Sequence, residues 1–360
     1  MTIKNNRKYV IRKLKNNDPK KPYYVNNKGK NINNTQILKY VNKWRIPPAY
    51  PEVKIFLNVN DKKDDCFYAA GKDTKGRLQQ LYTKYHNEVR ERTKYCKVLE
   101  VGKNYKKIFI KINSDLKKTR VSKNKLIAII IILMIECQFR PGHEKYREKY
   151  GSIGLSTLQK KHIINKKIAN SNVFKNDFIK TYNSTKYESL IKNLDNGYIY
   201  IKFIGKKGVC NECLFKNKET IIELLKLIKD KKNSDDIFCH KKIKVKPEDI
   251  NNYLRKFGGI TAKNIRTWDA NIEFINFSKD MQGPISDKVS IRKKQMKSIV
   301  EKVAEKLHHT VAICKKSYLD TNLFEMFVNE PDKFTKMFLT SKHSSEKVLI
   351  KYFEKKCKIK

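Results

Sequence analysis

The stretch FRPGHEKYREKYGSIGLSTLQKKHI, from Phe139 to Ile163, decides the fold of this chain. It follows the apolar run Leu126 to Ile135, which is too short to span a bilayer and predicts a buried helix. Gly142 and Gly154 lie on either side of a charged segment. We therefore predict a helix–turn–helix arrangement in which Arg140 comes directly after the buried helix.

Three later strings carry the other candidate catalytic residues. YIKFIGKKG places Lys206 in a β-turn after the alternating strand Tyr198–Ile204. KNIRTWDAN contains Arg266. KLHHTVAICKKSY contains His309, and Tyr318 follows it nine residues later.

These residue types suit attack on a phosphodiester without a metal ion. The hydroxyl of Tyr318 would be the nucleophile and would form a covalent phosphotyrosyl enzyme. Arg140, Arg266 and His309 would neutralise charge on the phosphate oxygens as the transition state forms. Lys206 would protonate the departing sugar oxygen as a general acid.

In combination, the strings resemble the DNA topoisomerase IB family, in the small form found in poxviruses, giant viruses and bacteria. The likeness runs from about residue 44 to the end of the chain. The family frame F-x-G-K favours Lys206 over Lys207 as the acid. The frame also favours His309 over His308, which stands where the family has a small residue.

The resemblance implies that the enzyme relaxes supercoiled double-stranded DNA. Tyr318 would cut one strand and hold its 3′ end, while the free 5′-hydroxyl end rotates and is resealed. Neither a nucleotide nor a metal cofactor is implied, because the chain has no Walker-type loop and no paired acidic cluster. One active site cuts one strand, so we expect a monomer.

The resemblance also indicates residues that contact DNA. The strings RIPPAY and GKDTKGRLQ resemble the family's N-terminal DNA clamp, although Gln80 stands where relatives often have tyrosine. Arginine and glutamine can contact base edges in the major groove. Asn271 is also expected to order the loop that carries Arg266. The candidate DNA-binding residues are Lys75, Arg77, Gln79, Tyr82, His143, Tyr146, Ser152 and Asn271.

The predicted fold class is α+β with two domains. Residues 1–90 are expected to form a small, mainly β DNA-clamp domain, with little core before residue 35. Residues 91–360 are expected to form a larger, mainly α catalytic domain of the topoisomerase IB and tyrosine recombinase type. A small β-sheet in that domain would carry Lys206.

The composition is strongly basic. Lys and Arg total 81 against 36 acidic residues, a formal charge of +45. A polyanion partner accounts for such an excess, and an AT-rich genome that favours lysine codons accounts for part of it. The chain shows no secretory signal, and its eight cysteines are scattered. We therefore expect an intracellular protein with reduced thiols and no membrane segment, acting in a virus factory in the host cytoplasm, in the virion, or in both.

Two other functions fit parts of the sequence. A tyrosine site-specific recombinase uses nearly the same chemistry, but usually has His-x-x-Arg where this chain has Lys263-x-x-Arg266. A DNA-binding protein with a decayed active site would not need all five catalytic positions filled. The pair Cys210-x-x-Cys213 with Cys239-His240 has passable zinc-ligand spacing, but the first pair lies in a predicted strand and the second is adjacent, so no metal site is predicted.

Overall fold

The N-terminal part of the protein is built on a five-stranded antiparallel sheet. The computed structural model describes residues 7–63 and 66–358. The sheet order is β2-β1-β3-β4-β5, and one helix, α1, lies between β2 and β3 in the chain. These elements are β1 (Tyr9–Leu14), β2 (Pro22–Val25), α1 (Thr35–Asn42), β3 (Glu52–Phe56), β4 (Phe67–Lys72) and β5 (Leu78–Tyr82).

The core of this sheet includes the first strand. Burial alternates along β1, so that Val10 faces inward and packs with Val53 and Ile55 of β3. The sequence led us to expect little core before residue 35. That expectation is wrong for β1, because its period-two pattern buries one face against its neighbours.

The chain divides into two compact units, Met1–Lys94 and Tyr95–Lys360. The second unit is mainly helical and contains two small antiparallel sheets, so the protein is of the α+β class. Its helices are α2 (Lys84–Leu116, which begins in the first unit), α3 (Lys123–Glu136), α4 (Glu144–Tyr150), α5 (Lys166–Ala169), α6 (Asn172–Thr181), α7 (Ser184–Asp195), α8 (Lys218–Ile228), α9 (Pro247–Arg255), α10 (Ala262–Lys279), α11 (Val289–Lys306), α12 (Val311–Ser317), α13 (Thr321–Asn329), α14 (Pro331–Phe334) with a π-helical turn (Thr335–Leu339), and α15 (Ser345–Lys358).

The strands of the second unit are β6 (Ile163–Ile164), β7 (Ile199–Ile204), β8 (Cys210–Phe215), β9 (Cys239–His240) and β10 (Ile243–Lys244). The first three form one sheet in the order β6-β7-β8, and the last two form a separate pair. The turn between β7 and β8 carries Lys206, as the alternating pattern predicted. No helix within the described ranges is both long and apolar enough to cross a membrane.

Helix α3 is the centre of the second unit. The side chain of Ser122 accepts a hydrogen bond from the amide of Lys125 and caps the helix start. Every residue from Leu126 to Met134 is buried, because the run is apolar on all sides and only a fully enclosed helix satisfies such a pattern. The predicted buried helix before Arg140 is therefore confirmed.

Four of the eight cysteines are paired. Cys96 bonds to Cys357 and Cys137 bonds to Cys213, with Cα–Cα separations of 5.7 and 5.5 Å. The expectation that all the cysteines are thiols is wrong for these four, because residues far apart in sequence meet in the fold. Since Cys213 is bonded to Cys137, it is not a thiolate ligand of the kind that the zinc hypothesis required.

Candidate active site

Arg140 lies in the short segment between α3 and α4. The segment is held against a second one, since the amide of Leu155 donates to the carbonyl of Arg140 at 2.9 Å. Gly142, with a φ of 81°, lies against Gly154, and a Cβ on Gly154 would stand 2.3 Å from the Cα of Gly142. Only glycine at these two positions lets the two backbone segments approach so closely. This contact fixes the position of the Arg140 backbone.

His309 joins the two arginines. Its Nδ1 lies 2.6 Å from Nη2 of Arg140, and its Nε2 lies 3.0 Å from Nη2 of Arg266. The ring of Tyr318 is 4.3 Å from the ring of His309, measured between centroids. Four of the five predicted catalytic side chains therefore meet at one place, although they come from three separate parts of the sequence.

Arg266 is buried in the second turn of α10. Its side chain is 2% exposed, and Nη2 donates to the carbonyl of Leu307 at 2.9 Å. Nε and Nη1 are buried without a hydrogen-bond partner among residues 7–63 and 66–358. Burial lowers the pKa of Arg266 to about 10, so that the guanidinium keeps its charge at neutral pH. Burying a cation whose donors have no partner costs folding free energy unless an anion binds to those donors.

His309 is held as a neutral imidazole. Burial lowers its pKa to about 2, and the positive charges of Arg140 and Arg266 act in the same direction. Its neighbour His308 has a φ of 53°, in the left-handed region that favours glycine. Nε2 of His308 lies 3.0 Å from the carbonyl oxygen of Cys137, which anchors the residue in this conformation. This anchor explains how a histidine can occupy a position where the family has a small residue.

Tyr318 ends α12, and its main chain is held from α10. Thr310 caps the start of α12 by accepting from the amide of Ile313. Nδ2 of Asn271 donates to the carbonyl of Tyr318 at 2.9 Å, and Oδ1 of Asn271 accepts from the amide of Asp320 at 2.9 Å. Asn271 is fully buried, so it offers no surface to DNA in this structure and instead positions the tyrosine.

Lys206 lies on an exposed turn. The amide of Gly205 donates to the carbonyl of Val209 at 2.8 Å, and Lys207 and Gly208 both have positive φ, which tightens the turn. Nζ of Lys206 lies 6.0 Å from the ring centre of Tyr146. Its charge contributes to lowering the pKa of His309, and it lines one cavity together with Arg140.

A cavity of about 220 Å³ lies beside this set and brings together three of the predicted DNA contacts. It is lined by both Arg140 and Lys206 and by the three candidates His143, Tyr146 and Ser152. Tyr146 is 51% exposed. His143 caps α4 by accepting from the amide of Lys145 at 3.3 Å.

The four candidates in the N-terminal unit lie on the hairpin of β4 and β5. Asp73 organises three of them: it pairs with the guanidinium of Arg77 at 2.7 Å, and accepts from the amide of Lys75 at 3.0 Å and from the side chain of Gln79 at 3.2 Å. Hydrogen bonding to Arg77 lowers the pKa of Asp73 to about 2. The hydroxyl of Tyr82 donates to the side chain of Gln80 at 2.8 Å.

Sequence reasoning missed two residues next to the site. Gln138, buried two residues before Arg140, donates to the carboxylate of Asp269 at 2.8 Å. Asp269 lies one turn after Arg266 on α10. Gln138 lies outside the quoted strings, and Asp269 lies inside the RTWDAN string but was given no role there.

The comparisons with known proteins show which family the chain belongs to. The family model described as the catalytic core of eukaryotic DNA topoisomerase I matches residues 82–338. The chain belongs to the type IB DNA topoisomerase family. This topoisomerase is 26% identical to DNA topoisomerase 1B of Acanthamoeba polyphaga mimivirus, over 83% of this chain and 82% of the relative. It is also 26% identical to DNA topoisomerase 1B of vaccinia virus, over 81% of each, and 24% identical to DNA topoisomerase 1 of rabbit fibroma virus, over 82% of each.

The family membership decides between the two enzyme classes that the sequence left open. The catalytic core match includes all five predicted catalytic positions, from Arg140 to Tyr318. The tyrosine recombinase alternative is not supported by any of these relatives, which are all named as topoisomerases. Those relatives come from viruses, so the topoisomerase described here is of a viral type.

Proposed function

We propose that this type IB topoisomerase relaxes supercoiled duplex DNA by cutting and resealing one strand through Tyr318. The oxygen of Tyr318 gives up its proton to water and attacks the phosphorus, and the bond from phosphorus to the 5′ oxygen breaks. The 3′ end remains joined to the enzyme as a phosphotyrosine. The 5′-hydroxyl end rotates, superhelical tension falls, and the hydroxyl attacks the phosphotyrosine to restore the strand.

The observation that carries this proposal is the pair of unpartnered donors on Arg266. Nε and Nη1 of a buried arginine lack partners within the described ranges, beside a tyrosine ring that lies 5.7 Å from the guanidinium carbon. Nε–H and Nη1–H point to different sides of the guanidinium, so a non-bridging phosphate oxygen on the side of Tyr318 would give one of them an anionic partner through a charge-assisted hydrogen bond. The phosphorus would then lie next to the hydroxyl of Tyr318.

The other three side chains complete the chemistry. Arg140 would bind the same phosphate, since it shares His309 with Arg266. His309, neutral at physiological pH, would accept from one of the two arginines on its bare ring nitrogen. Its N–H would donate to a phosphate oxygen in place of the contact with the other arginine, without adding charge. Lys206 would give its proton to the departing 5′ oxygen. The bond energy is conserved in the phosphotyrosine, so resealing requires no nucleotide and, in this proposal, no metal.

We also propose that residues 1–90 act as a DNA clamp and residues 91–360 as the catalytic domain of a monomer. Lys75, Arg77, Gln79 and Tyr82 would contact phosphates and the major groove. Because its named relatives are viral, the enzyme would act in virus factories of an infected cell, in virions, or in both.

The test is relaxation of negatively and positively supercoiled plasmid in EDTA without ATP, with an SDS quench that traps covalent complexes. We expect the wild-type protein to relax both signs and to remain attached to the 3′ end of the cut strand. Tyr318→Phe should bind the plasmid but neither relax it nor form the adduct. Relaxation by Tyr318→Phe would refute the mechanism, and cleavage at one site without relaxation would instead indicate a recombinase.

A further inference from the structure

The backbone just before Arg140 adopts an unusual conformation. Helix α3 ends at Glu136, and Gln138 then has a φ of 54°, which a residue with a side chain rarely adopts. Gln138 is 3% exposed. Its Nε2 donates to the carbonyl of Ile135 at 2.7 Å and to Oδ2 of Asp269 at 2.8 Å. Both hydrogens of one amide group are therefore used to hold this turn.

Asp269 is a buried carboxylate that the proposed chemistry does not use. It is 8% exposed and lies on α10, three residues after Arg266. Burial raises its pKa to about 7, and the like charge of Glu273 adds to this effect, while Gln138, Arg266 and Lys306 oppose it. A carboxylate in such surroundings is unfavourable for folding, so its position near Arg266 indicates a use in the active site.

We propose that Asp269 is a positioning residue: through the side chain of Gln138, it fixes the turn that aims Arg140 at the phosphate held by Arg266. This inference rests on the proposed function. One helix, α10, then carries one arginine and sets the direction of the other. The distance between the two guanidiniums is kept constant because both arginines are held by the same rigid helix.

The same helix also holds the other neighbour of the site. Glu273, one turn after Asp269, pairs with Lys306 at the end of α11 at 2.8 Å. His308, which follows shortly after, contacts the carbonyl of Cys137 at 3.0 Å. The turn before Arg140 is thus held between α10 on one side and the histidine segment on the other.

The experiment measures the rate of covalent adduct formation at saturating enzyme on supercoiled plasmid, together with plasmid affinity and melting temperature. Asp269→Ala should slow adduct formation by about 10- to 100-fold, because misplacing a catalytic group by about 1 Å can cost about 10²-fold. Plasmid affinity should stay within about twofold of wild type, since most affinity comes from phosphate contacts elsewhere.

Two further variants separate positioning from folding. Asp269→Asn keeps an oxygen that can accept from Gln138, so it should restore most of the rate. Gln138→Gly tolerates the left-handed backbone but removes both hydrogen bonds, so it should be as slow as Asp269→Ala, and the double variant should be no slower. The matched control is Asp115→Ala, which removes another buried carboxylate that accepts from Tyr253 at 2.8 Å. It should lower the melting temperature without slowing the folded enzyme.

Each alternative result has a distinct meaning. A folded Asp269→Ala that forms adduct at the wild-type rate would overturn the positioning role. So would an Asp269→Asn variant as slow as Asp269→Ala, or two losses that multiply in the double variant. If Asp269→Ala does not fold, Asp269→Asn and Gln138→Gly still decide the question. Absence of adduct from the wild-type protein would refute the proposed function itself.

Discussion

The candidate active site has a buried side and an exposed side, and the two are built differently. On the buried side, Arg266, His309 and Tyr318 come from α10 to α12 and contact one another. On the exposed side, Lys206 lies on the tight turn between β7 and β8, with the exposed ring of Tyr146 at 6.0 Å. The three contacting groups have fixed neighbours, whereas the lysine has open space in front of it.

This difference matches two tasks. Charge that develops on phosphate oxygens is stabilised best by donors that are already in position, because reorganising them during the reaction costs free energy. A proton donor must instead reach the 5′ oxygen of the DNA, which leaves during cleavage and returns during resealing. We therefore expect changes on the buried side to abolish the reaction, and changes on the exposed side to be compensated by a better leaving group.

The largest effect should come from Arg266. Arg266→Ala removes two unpaired donors and a charge at the centre of the site, so the rate of adduct formation should fall by about 10³-fold. Arg266→Lys should recover little, because one ammonium cannot both reach the phosphate and keep the hydrogen bond that Nη2 of Arg266 donates to the carbonyl of Leu307. The measurement is adduct formation at saturating enzyme.

The matched control for this change is Arg255→Ala. Arg255 pairs with Glu248 at the surface of the same unit, at 2.7 Å. This variant should react like wild type. A rate within tenfold of wild type for Arg266→Ala would mean that the unpartnered donors do not face the phosphate.

Lys206 should have the next largest effect. Lys206→Ala should slow cleavage by about 10²-fold, the usual contribution of a general acid. A substrate with sulfur in place of the 5′ oxygen should restore the rate, because a thiolate leaves without a proton. The neighbour Lys207→Ala is the control and should keep the normal rate. Equal losses for both lysines, or no rescue by sulfur, would argue that Lys206 acts only through its charge.

The sequence predicted the local structure around the motif residues well, because their spacing reflects that structure. The glycines of the deciding string, the turn around Lys206 and the buried helix α3 each follow from residues close together in the chain. The meeting of Arg140, Arg266, His309 and Tyr318 was inferred from the family resemblance, and their contacts in the structure agree with it.

What could not be predicted depends on contacts between distant residues. Gln138 meets Asp269 across 131 positions, and Cys96 meets Cys357 across 261. Periodicity carries no information about such pairs. Asn271 is a related case, because the sequence indicated only a polar residue near the site. The fold shows that its side-chain amide is hydrogen-bonded to the main chain of Tyr318 and Asp320.

His309 should have a smaller effect on the rate than Lys206 and a distinctive effect on stability. His309→Gln retains a donor, so adduct formation should fall by about tenfold. Folding lowers the pKa of His309 to about 2, from an ordinary value of 6.5. Below pH 6.5 the unfolded chain therefore binds a proton that the folded protein does not, and stability is lost as the pH falls.

The measurement is the melting temperature of both proteins between pH 7 and about pH 4. We expect the wild-type value to fall by several degrees more than that of His309→Gln. His308, whose pKa burial also lowers, is present in both proteins and cancels in the comparison. If the two melting temperatures fall in parallel as the pH is lowered, folding does not lower the pKa of His309.

The smallest effect on DNA binding and reaction rate should come from the N-terminal unit, which contributes none of the five proposed catalytic residues. Lys75 is exposed on the β4–β5 turn, so Lys75→Gln should weaken DNA binding by about two- to fivefold and lower the slope of log affinity against log salt by about 0.9. Lys28→Gln makes the same charge change at the β2 edge, the opposite side of the five-stranded sheet. Equal losses from the two variants would mean that this unit attracts DNA by overall charge alone. If only Lys75→Gln lowers the DNA affinity and its rate at saturating enzyme is unchanged, the β4–β5 hairpin is the surface that binds the duplex.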